Sequence, residues 1–307
     1  MVNCDNLKGV IFVRITIIQV DNNIIGIENR LKQIENQLES INDTDFVVLS
    51  ELSTSGYIPN ENIWKYAEEG CSITKKWATL MAKKYNIYIG AGCIEKEGND
   101  FYNTYLIANP EGVLGTIRKS EPESNIFKRG NFGHIINTPI GNIAVSICFD
   151  SHKKAFYDSI KDEDISLILM PHAWPMNETM YKEDKQKINT LLTSYGNAFD
   201  CPVIFANAIG NVEPMAGITG KLMKPSKYKL NGHSCAYTNG DIIDINNNSN
   251  ILSFECIMNS KKRKNDITFY GDWIDKGSFL YRNVALPLDI KKGIKLYNKS
   301  KEKNFKR

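Results

Sequence analysis

Glu51, Lys119 and Cys148 each stand at the end of a short apolar run. Glu51 comes just after Phe46-Val47-Val48-Leu49, Lys119 ends Val113–Arg118, and Cys148 ends Ile143–Ile147. Runs of this length and content read as buried strands. In α/β proteins strand ends present side chains to ligands, because the strands are rigid and the loops beyond them are open. A thiol, a carboxylate and an ammonium at such ends could do nucleophilic chemistry. The thiol is only a few per cent ionised near neutral pH, so it needs a base and profits from a nearby cation. Singly, each residue has a plainer reading: a packed core thiol, a solvated loop acid or helix cap, a solvated lysine.

The elements that must position these residues alternate along the chain. Val10–Val20 reads as a strand by its β-branched content. Ile27, Leu31, Ile34, Leu38 and Ile41 recur at steps of four and three, which predicts an amphipathic helix over 26–41. Ser72 can cap a second helix with Ile73, Trp77, Leu80 and Met81 on one face. Ile87–Cys93 and Tyr105–Asn109 read as strands, and Asn109-Pro110-Glu111-Gly112 turns the chain into Val113–Arg118. The second half repeats the alternation, with a strand over Ile143–Phe149 and a helix over 153–161. Next come a strand at Leu167–Pro171, a helix over 184–198 and a strand at Val203–Ala208. A hairpin in Gly232–Ile245 turns at Asn239-Gly240. Two alternating halves imply one α/β domain of two mixed β-sheets face to face with helices outside, a four-layer α-β-β-α sandwich. That domain takes residues 1–290. Residues 291–307 hold eight basic residues against one acid, Glu302. They read as a solvated, partly frayed tail, or as a contact for an anionic partner or a neighbouring subunit.

The context of the three strand-end residues is specific. Glu51-Leu52-Ser53-Thr54-Ser55-Gly56-Tyr57 resembles the glutamate motif of the nitrilase superfamily, the carbon–nitrogen hydrolases. Ile117-Arg118-Lys119 resembles its lysine motif, and Ser146-Ile147-Cys148-Phe149-Asp150 its cysteine motif. The flanks agree: Arg14–Gln19, Tyr102-Asn103, Ala206-Asn207 with Gly210, and Gly232-His233-Ser234. The resemblance covers roughly residues 10–245, with the three motifs in order and in register.

The resemblance implies a catalytic triad and roles for its members. Glu51 would take the thiol proton as Cys148 attacks an amide carbonyl. Lys119 would favour the thiolate and, with the backbone N–H of Phe149, hold the oxyanion. A thioester would remain after ammonia or an amine leaves. Glu123-Ser124-Asn125-Ile126-Phe127-Lys128-Arg129-Gly130 fits the frame of the second glutamate of many members. Glu123 is thus a fourth catalytic candidate and Glu121 the poorer one. Tyr57, Phe149, His152 and Trp174 are the substrate-binding candidates, Trp174 as an aromatic wall and His152 where some members hold an arginine. Cys148-Phe149-Asp150 favours amides over nitriles. The stretch Ser151-His152-Lys153-Lys154-Ala155-Phe156 departs from the common amidase pattern, which continues with Pro-Glu, and points to a more basic pocket rim.

Other functions remain open on these residues. They are an N-carbamoyl hydrolase, acyl transfer to an amine, and a catalytically silent scaffold that binds partners. The family also implies a homodimer or higher homo-oligomer, with Phe279-Leu280-Tyr281 and Val284-Ala285-Leu286 reaching the partner. Composition narrows the rest. A net charge of +3 is too small to imply nucleic acid. The apolar stretch Gly9–Val20 is too short to span a membrane, and no stretch reads as a signal peptide. Seven scattered cysteines without a CxxC pair fit a reducing cytoplasm. Four histidines show no metal-ligand spacing, and no metal or cofactor is expected.

Overall fold

β-branched, continuously apolar runs become the central strands, and the computed structural model describes residues 11–223, 228–246 and 249–305. Val10 at the start of the first expected strand, Cys4, and Lys306 and Arg307 of the tail lie outside the described residues. The first half contains β1 (Ile11–Ile18), α1 (Ile27–Glu39), β2 (Phe46–Leu49), β3 (Glu68–Glu69) and α2 (Ser72–Tyr85). It continues with β4 (Tyr88–Glu97), β5 (Asp100–Asn109) and β6 (Gly112–Arg118). The second half contains β7 (Ile135–Thr138), β8 (Gly141–Val145), α3 (Lys154–Ile160), β9 (Leu167–His172) and β10 (Pro175–Asn177). α4 (Tyr181–Phe199), β11 (Val203–Asn207), β12 (Ile209–Asn211), α5 (Gly217–Met223) and β13 (Tyr228–Asn231) follow. The chain closes with β14 (Cys235–Thr238), β15 (Asp241–Asp244), β16 (Ile251–Met258) and α6 (Leu286–Phe305).

One sheet runs β16-β1-β2-β4-β5-β6, with β3 beside β4, and the other β15-β14-β11-β9-β8-β7. Each has three parallel strands at its centre, β1-β2-β4 and β8-β9-β11, flanked by antiparallel ones. A third, small sheet joins β10, β13 and β12. Side-chain alternation decides the layering. Phe46 and Val48 of β2 pack between the sheets, with Ile15, Ile17, Ile107, Val145, Leu169 and Ile204. Val47 and Leu49 face the other way, onto Leu31, Ile34 and Leu38 of α1 and Trp77, Ala78 and Ala82 of α2. On the far side α3 and α4 cover Ile168, Met170, Val203 and Phe205 with Phe156, Ile160, Leu191 and Tyr195. This is the four-layer sandwich expected from the alternation.

Four local expectations change. On α2 the buried face is Thr74, Trp77, Ala78 and Ala82, while Ile73 and Leu80 are exposed. Small residues let that helix lie close to β4 and β5, and the larger apolar side chains turn outward. Ser72 does not cap α2. Glu68 does so, its carboxylate accepting from the Thr74 N–H at 2.7 Å and the Thr74 hydroxyl at 2.6 Å. β8 ends at Val145, before Cys148, because the chain bends there into a single 3₁₀ turn over Cys148–His152. Residue 291 marks no change of structure: α6 passes through it and continues to Phe305. Tyr297 of α6 is buried against Trp64 and Phe101, and Lys301 pairs with Asp100 at 2.6 Å.

Candidate active site

Glu51, Lys119 and Cys148 follow the C-terminal ends of β2, β6 and β8 and come together in one place. Glu51 sits where the chain leaves β2 in a tight turn. Leu52 has a positive φ of 48°, and the Gly56 N–H closes the turn on the Leu52 carbonyl at 2.7 Å. Gly92 of β4 runs directly beneath; a Cβ there would lie 2.4 Å from the Leu52 nitrogen, so only glycine lets the strand pass. Cys148 has a φ of 49° in its own turn after β8. A non-glycine residue with positive φ is uncommon, and here it swings the thiol off the strand line. The Ser151 hydroxyl donates to the Cys148 carbonyl at 2.7 Å and holds that turn.

The Lys119 ammonium is fully buried between two carboxylates. It lies 2.6 Å from Glu51 Oε1 and 3.1 Å from Glu123 Oε1. Asn103 Nδ2 donates to the same Glu51 oxygen at 2.7 Å, and the Ala173 N–H donates to Oε2 at 2.9 Å. Tyr57 Oη donates to Glu123 Oε1 at 2.9 Å. Asp150 binds the loop after Lys119, accepting from the Ser120 N–H at 3.1 Å and the Glu121 N–H at 2.7 Å. Glu121 itself pairs with Arg129, away from Lys119, so Glu123 is the second glutamate of the cluster.

Burial sets the protonation of these groups. It raises the Glu51 carboxyl above its usual range, with Lys119 opposing. Burial works against the Lys119 charge, but Glu123 and Glu51 outweigh it and keep the ammonium protonated well above neutral pH. Burial, with Glu51 adding, pushes the Cys148 thiol well up, and Lys119 offsets this only in part. The resting sulfur is therefore a thiol. Lys119 favours the thiolate, the direction expected of it, but burial and the carboxylates outweigh it. Burial also raises Asp150, to about 7.

Cys148, Glu123 and Tyr57 open on a cavity of about 580 Å³. Its inner wall is aromatic. Phe149 meets Trp273 edge-on at 5.2 Å, and His152 meets Trp174 at 5.2 Å. All four expected substrate-binding residues line this space. His152 and Lys153 do not supply the basic rim expected of them; the basic residues lining the cavity are Lys187, Lys276, Arg282 and Lys292. Burial lowers His152 to about 4, so it is neutral. Lys153 lies over the Trp273 ring at 4.2 Å and is not part of the cavity wall. The outer wall comes from residues without a site role in the motif frame. The 272–274 segment pairs with the start of α3, the Ile274 N–H donating to the His152 carbonyl at 3.0 Å. Arg282 lies over Trp273 and pairs with Asp275 at 2.5 Å, and α6 closes the far side. Asn103 was visible as half of the Tyr102-Asn103 pair, but its partner 52 residues earlier was not.

Residues 14–250 match the model of the carbon–nitrogen hydrolase family. The chain belongs to that family. This carbon–nitrogen hydrolase is similar to a probable nitrilase of Schizosaccharomyces pombe, 26% identical over 267 residues, 80% of this chain and 86% of that one. It is also similar to a deaminated glutathione amidase of Dictyostelium discoideum, 26% identical over 189 residues, 55% of this chain and 59% of the relative. Its fold matches that of a carbon–nitrogen hydrolase from Helicobacter pylori G27, with a TM-score of 0.65 at 19% identity over 80% of this chain and 89% of that one. The hydrolase is thus a member of the nitrilase superfamily. Among the described residues no helix is long and apolar enough to cross a membrane.

Proposed function

We propose that this enzyme hydrolyses a small linear amide through a thioester on Cys148. The observation that carries the reading is the buried Lys119 ammonium bonded to both Glu51 and Glu123 beside a cavity that Cys148 lines. Glu51, with its carboxyl raised by burial, is a base matched to a thiol that is itself raised. Glu51 takes the Cys148 proton as the sulfur attacks the amide carbonyl. The oxyanion is held by the Lys119 ammonium and the Phe149 N–H. Glu51 returns the proton to the leaving nitrogen, and ammonia or an amine departs. Glu51 then takes a proton from water, which attacks the thioester and releases the acid and the free thiol. Glu123 holds Lys119 in place and is held in turn by the Tyr57 hydroxyl. A cavity of about 580 Å³ is the size of a small-molecule site.

An ammonia-release screen over primary amides, N-carbamoyl amines and nitriles tests the substrate class. Mass spectrometry tests the nucleophile: an acyl adduct is expected on Cys148 and on no other cysteine. Cys148→Ala is expected to lower turnover by roughly 10⁴-fold or more while the melting temperature stays near the parent's. An adduct on Cys93 or Cys201 instead overturns the assignment. Ammonia from nitriles alone overturns the amide reading.

A further inference from the structure

α6 lies beyond the residues that match the family, yet it is seated on the loop that carries Glu123. The Ser124 hydroxyl donates to the Ile290 carbonyl at 3.2 Å. Gly293, one turn on, touches the same loop. A Cβ there would lie 2.1 Å from Ser124 Oγ, 3.0 Å from the Asn125 nitrogen and 3.1 Å from the Ser124 carbonyl carbon. The loop moves as one piece with Glu123, because the Ile126 and Phe127 N–H groups both bond the Glu123 carbonyl at 3.0 Å. Trp64 pins it from below, donating to the Ile126 carbonyl at 2.7 Å.

α6 is itself anchored at both ends. Near its start Asp289 accepts from the Ile218 N–H, the Thr219 N–H and the Thr219 hydroxyl at 3.0, 3.0 and 3.1 Å. Further along, Tyr297 accepts from the Phe101 N–H at 3.0 Å and donates to Asp100 at 3.2 Å, and Lys301 joins Asp100. The helix between these anchors closes the cavity and presses on Ser124 and Asn125.

We propose that α6, through Gly293 against Ser124–Asn125, positions Glu123 and with it the Lys119 ammonium, so that the C-terminal helix completes the active site of its own chain. Gly293 is a positioning residue, and this role rests on the amide-hydrolase reading only for its effect on turnover. A larger residue at 293 pushes the loop away from α6 and draws Glu123 out of its seat on Lys119 and Tyr57. Glu123 disfavours the Cys148 thiolate, so its withdrawal makes the thiol ionise at lower pH.

The test is Gly293→Ala on the full chain, with the pH dependence of iodoacetamide alkylation at Cys148 as a readout that needs no substrate. The alkylation midpoint is expected to move down in Gly293→Ala, as in Glu123→Gln, and the double variant is expected to add nothing to Glu123→Gln alone. On the amide chosen by the screen, kcat is expected to fall about tenfold or more, since small misplacements of catalytic groups cost that much. Ser124→Ala/Gly293→Ala, which removes the clashing hydroxyl, is expected to regain part of the rate. If Gly293→Ala does not fold, Asp289→Asn loosens the same helix without crowding and is expected to lower the midpoint. An unmoved midpoint in whichever variant folds, or effects that add in full to Glu123→Gln, overturn the proposal. A wild type without amide turnover overturns the hydrolase reading instead, and the alkylation arm still decides the role of α6.

Discussion

Desolvation raises the Glu51 carboxyl and the Cys148 thiol at the cavity's inner end, and the neighbouring Glu123 and Glu51 carboxylates keep Lys119 charged. Each group therefore depends on the others. Removing one charge from such a buried set leaves another uncompensated. Lys119→Arg keeps the charge but replaces a compact ammonium with a planar fork that cannot sit 2.6 Å from Glu51 and 3.1 Å from Glu123 in the same space. Its turnover is expected to drop roughly a hundredfold or more; near-parental kcat in Lys119→Arg would sink the oxyanion role. His152 makes a separate case. Burial lowers it from 6.5 to about 4, with Asp275 opposing and Arg282 and Lys187 adding. A folded value below the unfolded one gives stability that is fully present above pH 6.5 and is lost as pH falls through about 4. His152→Asn is expected to flatten the loss of melting temperature across that window and to leave the pH–rate profile above 6.5 unchanged. A rate inflection near 6.5 that vanishes in His152→Asn would show that the imidazole titrates in the working range after all.

At the scale of elements, the site depends on how closely strands pass under the turns that follow them. β4 runs beneath the Glu51 turn at Gly92, where the Leu52 nitrogen, the Glu51 carbonyl carbon and the Ser50 carbonyl oxygen all lie within 3.1 Å of a Cβ position. Backbone is on the other side, so no side chain can rotate away. Gly92→Ala is expected to cost about 1–3 kcal/mol of stability and to displace Glu51 as well. Chemical denaturation paired with the activity assay checks both. Unchanged stability would mean that β4 moves freely relative to the turn. β4 was readable from its apolar run and the turn from its motif. Their close approach was not, since nothing in residues 87–93 states what lies above them. The same limit explains α2: period alone picked Ile73 and Leu80 for the core, whereas the sheet accepts the smaller Ala78 and Ala82.

At the scale of the molecule, Phe279 and Leu280 are 74% and 70% exposed just before α6, while α6 stays docked on its own chain through Tyr297 and Lys301. An apolar pair left in water at such a place fits a symmetric contact with a second copy. Light scattering at micromolar concentration is expected to give a dimer mass, and Phe279→Ser/Leu280→Ser to shift it toward the monomer. A monomer mass for the parent counts against the pairing.

The amino-acid sequence by itself determined the central strands, the amphipathic α1, the Asn239-Gly240 hairpin and the three candidate residues, because period and turn chemistry are local properties; β7, β10, β12, β13 and β16 appear only in the structure. The motif frame also picked Glu123 over Glu121. Only the tertiary structure decided that Lys119 lies between Glu51 and Glu123, that Asn103 and the Ala173 N–H hold Glu51, and that the resting sulfur is a thiol. It likewise made His152 neutral and turned the basic C-terminal stretch into a helix over the cavity. These outcomes depend on desolvation and on contacts between residues far apart in the chain. Both are set by the packing of the whole molecule rather than by any local stretch of it.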